Sequence, residues 1–387
     1  MSCTIYYTLS NGEATITRCV SDETDLTLPD QLEGCPVVAL GPDCFAGTAP
    51  TGEEPPGLTL KRELPPPVHT YDNQTLKRII LPQSLRQIGP RCFAHCSALP
   101  RIELPDSVTQ LGDRVFHYCN ALQRIELPDG ITDLPDYTFA ECRHLLRISL
   151  PHHIRSIGRC CFYNCTRLER LDLPDALQTI GDRMLMNCFE LHELSFKIGV
   201  NAGALLPEID RVLRVNVNLG DQVIQMVLPE FATEYEELIQ AKQFRTHEYG
   251  SGALYRSCFS DRDIDFNLYD DYFYYCIRED PPELVAELAF DRLRWPVSLR
   301  KGKEEEYWTY LLGHVQELGT VLLRQDDLEA LDFLLSCGKL DQAGLDTLLD
   351  LAETKGNIRF VSRLLEASGN RSEGETQGFG ADKLFEL

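Results

Sequence analysis

Apolar residues recur along positions 76–198 at a step of twenty-three, with polar residues filling the intervals. Ile79, Ile102, Ile125, Ile148 and Leu171 form one column, and Ile88, Leu111, Leu134, Ile157 and Ile180 form a second. Phe93, Phe116, Phe139 and Phe162 form a third, with Leu185 in the fifth place. Cys96, Cys119, Cys142, Cys165 and Cys188 keep the same step, as do Leu99, Leu122, Leu145, Leu168 and Leu191, and the prolines from Pro82 to Pro174. A column at constant period marks a repeat array.

One unit runs from Leu99 to Ala121. Arg101-Ile102-Glu103-Leu104 alternates polar and apolar, which predicts a short half-buried strand. Pro105 ends it, because proline lacks the N–H that a ladder needs. Val108 and Leu111 predict a second buried pair. Gly112 is expected to supply a turn in the left-handed backbone region, which glycine enters at little cost. The helical spacing of Phe116, Cys119 and Leu122 predicts a short turn facing the core. Such a unit cannot bury its own apolar face, so units stack and each touches only its neighbours.

This unit resembles the BspA-type leucine-rich repeat, whose pattern runs roughly L-x-x-I-x-L-P-x-s-v-x-x-I-G-x-x-a-F-x-x-C-x-x. The likeness covers residues 76–198. Pro135 stands where the pattern has glycine. Residues 1–48 read as a divergent first copy: Leu28-Pro29, Val38, Leu40-Gly41 and Phe45 fit its columns, around a five-residue insertion at Glu33–Val37. The resemblance implies a leucine-rich-repeat solenoid. Relatives of this repeat are often surface proteins that bind host or partner proteins.

Residues 49–75 are proline-rich and predict an extended loop inserted into the array. Residues 199–230 predict a capping β-hairpin, with strands on either side of Asn218–Asp221. From 231 to 368 the pattern is read as helical. It includes an amphipathic piece at Glu234–Leu238, a helix over Glu283–Leu293 and a long one over Glu304–Leu323. Leu328, Leu331, Leu334 and Leu335 align with Ile358, Val361, Leu364 and Leu365 at an offset of thirty, which resembles degenerate ankyrin helix pairs. Residues 369–387 are polar and glycine-rich and predict a disordered tail. It ends in Leu384-Phe385-Glu386-Leu387, a candidate docking peptide. The fold class expected is α+β: a solenoid of 23-residue coils, a hairpin cap and a helical domain.

Charge narrows the partners. The net charge is −23, yet residues 76–199 hold 15 basic and 14 acidic side chains. A net negative chain repels phosphate backbones, so nucleic acid is not an expected partner. The start of the chain has no basic, apolar leader, and no stretch reaches the ~20 apolar residues of a membrane helix. A cytosolic protein is expected, with no membrane partner.

The candidate chemistry is sparse. The cysteine column reads as core, since a small thiol at a buried turn donates a weak hydrogen bond to backbone. Cys92-x3-Cys96 and Cys161-x3-Cys165, with His95 and Cys160, suggest zinc, but no paired C-x2-C elements converge. Asp261-x-Asp263-x-Asp265 has Phe266 and Tyr272 where a calcium loop has glycine and glutamate. His152-His153 has no paired nucleophile, and no catalytic or dinucleotide fingerprint occurs. No metal, cofactor or catalytic residue is therefore expected. The aromatics Tyr269–Tyr275 read as helical core, the alternative being a pocket in residues 200–368.

The exposed feature is a pair of columns. Arg78, Arg101, Arg124, Arg147 and Arg170 recur at the repeat step, followed two residues on by Ile80, Glu103, Glu126, Ser149 and Asp172. Both flank inward apolar positions, so both face solvent on one sheet. Arginines and acids in such rows neutralise one another or form a recognition strip for a protein partner. The residues taken for partner binding are Arg78, Arg101, Glu103, Arg124, Glu126, Arg147, Arg170 and Asp172. The function expected is a non-enzymatic, bacterial-type interaction scaffold. Its alternatives are a surface-displayed adhesion protein exported without a visible signal and, behind that, an enzyme whose site lies in residues 200–368.

Overall fold

The computed structural model describes residues 2–21, 23–45, 57–62, 75–238 and 243–378. They form two compact units, residues 1–224 with 259–264, and 225–258 with 265–387.

The first unit opens with an antiparallel hairpin, β1 (Ser2–Ser10) and β2 (Glu13–Ser21). Asn11-Gly12 makes the turn with φ of 53° and 77°, as a two-residue hairpin loop requires. The first coil starts only afterwards, at β3 (Asp25–Thr27). The described part of this segment is thus a capping hairpin followed by one divergent coil. β4 (Gln31–Leu32) and β5 (Cys35–Leu40) turn through Glu33-Gly34, with φ of 50° and 81°. The five-residue insertion is thus a tight hairpin. β2 lies parallel to β5, which covers the end of the array.

β6 (Gly57–Lys61) falls inside the stretch expected to be loop. It pairs parallel with β1, from Ser2 opposite Gly57 to Tyr6 opposite Lys61. Its five residues hold no proline and alternate Leu58 and Leu60 with Thr59 and Lys61, so they can add to a free sheet edge. The rest of that loop, 49–56 and 63–74, lies outside the described residues.

Next come the short strands β7 (Arg78–Ile80), β8 (Gln87–Ile88), β9 (Gln110–Leu111), β10 (Arg124–Glu126) and β11 (Asp133–Leu134). They are followed by β12 (Arg147–Ser149), β13 (Ser156–Ile157), β14 (Arg170–Asp172), β15 (Thr179–Ile180) and β16 (Glu193–Lys197). Equivalent strands of successive coils run parallel and in register: Ile125 meets Ile148, Leu171 meets Leu194, Ile88 meets Leu111 and Ile157 meets Ile180. Like therefore stacks on like. The rings of Phe45, Phe93, Phe116, Phe139 and Phe162 form one column, with centroids 4.9, 5.6, 5.4 and 5.7 Å apart and planes within 8° of parallel.

The glycine column has a different cause from the one expected. Gly89, Gly112, Gly158 and Gly181 are not left-handed. A Cβ on Gly158 would lie 2.5 Å from Asp136 N and 2.6 Å from Pro135 C, so glycine is needed because the preceding coil's backbone passes there. The left-handed positions fall on other residues: Arg91, Arg114, Tyr137, Cys160 and Arg183 at φ 51–57°, then His95, Tyr118, Glu141, Asn164 and Asn187 at 58–65°. Their strain is offset by bonds between coils. Arg91 N–H donates to Asp113 O at 2.9 Å and His95 N–H to His117 O at 2.7 Å.

Two prolines break the ladders. Gly112 N–H donates to Ile88 O, Gly158 N–H to Leu134 O and Gly181 N–H to Ile157 O, each at 2.7–2.8 Å. Pro135 has no such proton, and its sheet divides between β9 and β11. In the other column, Gln123 N–H donates to Pro100 O, Leu146 N–H to Gln123 O, Glu169 N–H to Leu146 O and His192 N–H to Glu169 O. Pro100 occupies this position one coil earlier, and there β7 pairs only with β3.

The array ends through α1 (Ala202–Leu205), a 3-10 turn at Leu206–Glu208, and β17 (Leu213–Asn218), which lies parallel to β16. Glu208 substitutes for a missing coil. Its carboxylate accepts from Leu185 N–H at 2.7 Å, where Phe162 N–H instead meets Met184 O of the next coil. Burial pushes the Glu208 carboxyl pKa up, and the backbone amides of Leu185, Arg183 and Met184 pull against it. The expected hairpin follows: Leu219 N–H donates to Gln222 O at 2.9 Å, and the chain turns into β18 (Val223–Leu228).

The second unit departs from an all-helical reading. β19 (Ala232–Leu238) and β20 (Gln243–Tyr249) pair antiparallel, so Glu234–Leu238 is strand. Thr233, Tyr235, Phe244 and Thr246 favour that conformation. α2 (Gly252–Ser257), α3 (Phe266–Asp271), α4 (Phe273–Glu279) and α5 (Pro282–Arg294) follow. The helix expected over Glu304–Leu323 is two, α6 (Lys301–Gly313) and α7 (Val315–Gln325), parted at His314 with φ −134° and ψ 43°. α8 (Leu328–Ser336), α9 (Gln342–Thr354) and α10 (Ile358–Gly378) complete the unit.

The offset of thirty appears in the turns. Asp326 and Gly356 are left-handed, at φ 51° and 67°. Asp327 then caps Ala330 N–H and Asn357 caps Phe360 N–H. Buried ionic ties hold the helices: Arg292 forks onto Asp270 at 2.7 and 3.1 Å, and Tyr307 OH donates to Asp270 at 2.9 Å. α10 extends into the tail expected to be disordered, since adding residues to a formed helix is easier than starting one. Residues 379–387, with the terminal Leu-Phe-Glu-Leu, lie outside the described residues. Among the described residues, no helix is long and apolar enough to cross a membrane.

Candidate protein-binding face

The arginine column lies where alternation directs it, outward from the strands whose central residues are core. Ile79, Ile102, Ile125 and Leu171 are buried, while Arg101 and Arg147 keep over two-thirds of their side-chain surface exposed. Parallel register sets Arg124 opposite Arg147 and Glu126 opposite Ser149, and a single bridge sets Arg101 opposite Arg124. Strands so paired are about 4.8 Å apart, so these guanidiniums start from adjacent rungs.

Compensation is uneven. Arg101 pairs with Glu103. Arg147 reaches Glu169 only at 4.0 Å. Arg170 is held by Asp172 at 3.0 Å and Glu193 at 3.1 Å, and the bond to Asp172 raises its pKa. Arg78 and Arg124 form no ion pair with any described residue. Exposed pairs of this kind contribute only ~0.2–1 kcal/mol each, so most of the row is available to a partner.

The strip is longer than the sequence expectation. Ser195 Oγ–H donates to Asp172 at 2.6 Å, and Asn216 Nδ2–H donates to Glu193 at 3.2 Å. Glu193 and Ser195 stand one repeat step after Arg170 and Asp172, a signal present in the sequence. Arg214 and Asn216 stand twenty-one residues further on, a shortened step that hides them.

The other candidates resolve as structure. Cys119, Cys142, Cys165 and Cys188 donate to Phe93, Phe116, Phe139 and Phe162 carbonyls at 3.1–3.3 Å. Burial pushes Cys119 up to about 12, well away from a reactive thiolate. Cys92 is buried in the core with Cys44, and His95 stacks on Tyr118 at 4.8 Å. Asp265 caps α3 through Leu268 N–H. Among the described residues, no group of three or more His, Cys, Asp or Glu side chains is placed to hold a metal ion. Tyr269 and Phe273 are core, whereas Tyr274 and Tyr275 are exposed.

Residues 67–200 match the BspA type leucine rich repeat region in six copies. These coils are BspA-type leucine-rich repeats. The match does not extend to α5–α10, and no comparison supports the ankyrin resemblance read from residues 328–335 and 358–365. Similar solved structures include a leucine rich cell surface protein from Faecalibacterium prausnitzii A2-165, with 26% identity over 49% of this chain and 52% of that one, TM-score 0.39. Another is a leucine-rich repeat protein from Bacteroides ovatus ATCC 8483, with 21% identity over 56% and 66%, TM-score 0.33. A third is a leucine-rich repeat protein from T. pallidum, with 23% identity over 48% and 86%, TM-score 0.28. The chain spans about half the length of the first. No curated protein matches it.

On the other side of the leucine-rich repeats, His117 makes edge contacts to His95, Tyr118 and Tyr137. Burial first, then the charges of His95 and Arg114, lower its pKa from 6.5 to about 4, against the pull of Glu141. A depressed histidine is neutral in the fold and protonates more readily when unfolded. Its contribution is full above pH 6.5 and is lost as pH falls towards 4. Partial exposure reduces the figure, leaving about 1–2 kcal/mol. Urea midpoints measured from pH 7.5 to 4.5 are expected to fall more steeply for the parent than for His117→Gln. Parallel curves would show that His117 contributes nothing to the acid slope.

Proposed function

We propose that this protein is a non-enzymatic scaffold whose leucine-rich repeats bind a protein partner across the strand face. The observation that carries the reading is the exposed row of arginines at the repeat step, in register from Arg101 to Arg147, in which Arg78 and Arg124 have no acid among the described residues. Planar guanidiniums held on a rigid ladder meet carboxylates and aromatic faces with little ordering cost. Arg78, Arg101, Glu103, Arg124, Glu126, Arg147, Arg170 and Asp172 would then contact the partner, with Glu193 and Asn216 extending the surface. The fifteen free cysteines support a reducing, cytosolic setting.

The test is capture of partners from native lysate by the full chain and by Arg101→Ser/Arg124→Ser/Arg147→Ser. The triple change removes only exposed charge, so folding is expected to persist. Affinity for the captured partner is expected to fall at least ~30-fold, the effect of losing ~2 kcal/mol over three contacts. Capture at parental affinity would rule out the strip.

A further inference from the structure

One joint of the array is open on this same face. Every coil junction in the arginine column has at least one backbone bond among the described residues, except that between β7 and residues 100–104. Lys77 N–H bonds Thr24 O behind it, and Gln123 N–H bonds Pro100 O ahead of it. Pro100 should supply the donor for the Lys77 carbonyl and has none. Elsewhere the two coils remain joined: Gln87 and Ile88 pair with Gln110 and Leu111, and Phe93 stacks on Phe116. Ser107 Oγ–H rejoins them further along, 2.8 Å from Gln83 O and 2.6 Å from Leu85 O. The result is a cleft of about 590 Å³ lined by residues 77–81, 83, 100, 101 and 103–106.

The cleft is chemically distinct from the rest of the strip. Alternate residues of a strand turn their backbone groups to opposite edges. Arg78 N–H and Ile80 O bond towards β3, so Ile79 directs its N–H and C=O into the opening. Position 80 holds isoleucine where the equivalent residues in three other coils are Glu103, Glu126 and Asp172, and Ile80 is 47% exposed. Arg78 therefore lacks the acid that Arg101 and Arg170 have two residues on. Lys77, Arg78 and Arg101 face Glu103 and Asp106, and Glu103 is held by Arg101.

We propose that this opened joint binds an extended acidic peptide segment of a partner protein, added as a strand to the free edge of β7. The peptide backbone meets Ile79 and the Lys77 carbonyl, an apolar side chain covers Ile80, and a carboxylate two residues away from it meets Arg78 and Lys77. Edge addition of this kind draws affinity from main-chain bonds and specificity from alternate side chains. The proposal rests on the reading of this face as a protein-binding surface.

The test is selection of a displayed random heptapeptide library on the full chain, then fluorescence polarisation with the most enriched peptide. Enriched sequences are expected to place Asp or Glu two residues from an apolar residue. Two variants then decide the site. Pro100→Gln restores the donor found at Gln123 and is expected to close the joint, so the fold is retained while peptide affinity falls at least tenfold. Arg78→Glu is expected to lose as much and to favour lysine-bearing peptides. Equal affinity for parent, Pro100→Gln and Arg78→Glu overturns the proposal, as does the absence of acidic enrichment. Binding that appears only after deletion of residues 63–74 overturns it too, since this chain's own segment is then the occupant. Pro100→Gln keeps every arginine of the strip, so these outcomes are separate from those of the triple-serine test.

Discussion

Phe139→Ala is expected to destabilise the repeat unit by about 3–5 kcal/mol. Phe139 is fully buried and sits between Phe116 at 5.4 Å and Phe162 at 5.7 Å. Alanine removes the transfer energy of the ring, leaves a cavity in a column that neighbouring coils hold at fixed spacing, and abolishes two stacked contacts of ~0.5–1.5 kcal/mol each. The damage falls on two interfaces at once, because each coil contacts only its neighbours. Leucine already occupies the last place in the column, as buried Leu185. Phe139→Leu is therefore expected to cost about 1 kcal/mol. Urea unfolding followed by far-UV circular dichroism measures both. An alanine variant within 1 kcal/mol of the parent would contradict a continuous aromatic core.

Gly158→Ala carries the second large effect, about 3 kcal/mol. The added methyl meets the backbone of Pro135 and Asp136, which cannot rotate aside as a side chain would. The coils must part, and the bond from Gly158 N–H to Leu134 O at 2.7 Å must stretch or break. The joint at Pro135, between β9 and β11, already has that arrangement. Amide exchange at position 158 should accelerate together with the fall in urea midpoint. Gly302→Ala is the control, since nothing lies within 4 Å of its Cβ position and helix propensity favours alanine. If Gly158→Ala is as mild as Gly302→Ala, close backbone approach is not what demands glycine there.

Several elements were missed for one shared reason. β1, β2 and β6 belong to no repeat column, and they form a sheet because the first coil leaves an edge that a neighbour can complete. Pro100 looks unremarkable within its own unit. Its consequence appears only when Lys77, one coil earlier, lies opposite without a donor. Glu208 reads as an ordinary acid until the amides of Arg183, Met184 and Leu185 arrive with no further coil to receive them.

The twenty-three-residue step, read from the sequence, determined the coil, its buried columns and the outward arginine row, because a periodic apolar pattern has one way to bury itself. It also determined that the cysteines serve packing, since they sit in register with the phenylalanines. Tertiary structure alone decided which arginines have acids, why the glycines are glycine, and where the ladder stands open. Those properties belong to pairs of residues on different coils, and a hydrogen-bond donor, a carboxylate or an empty Cβ position takes its meaning from what the next coil sets against it.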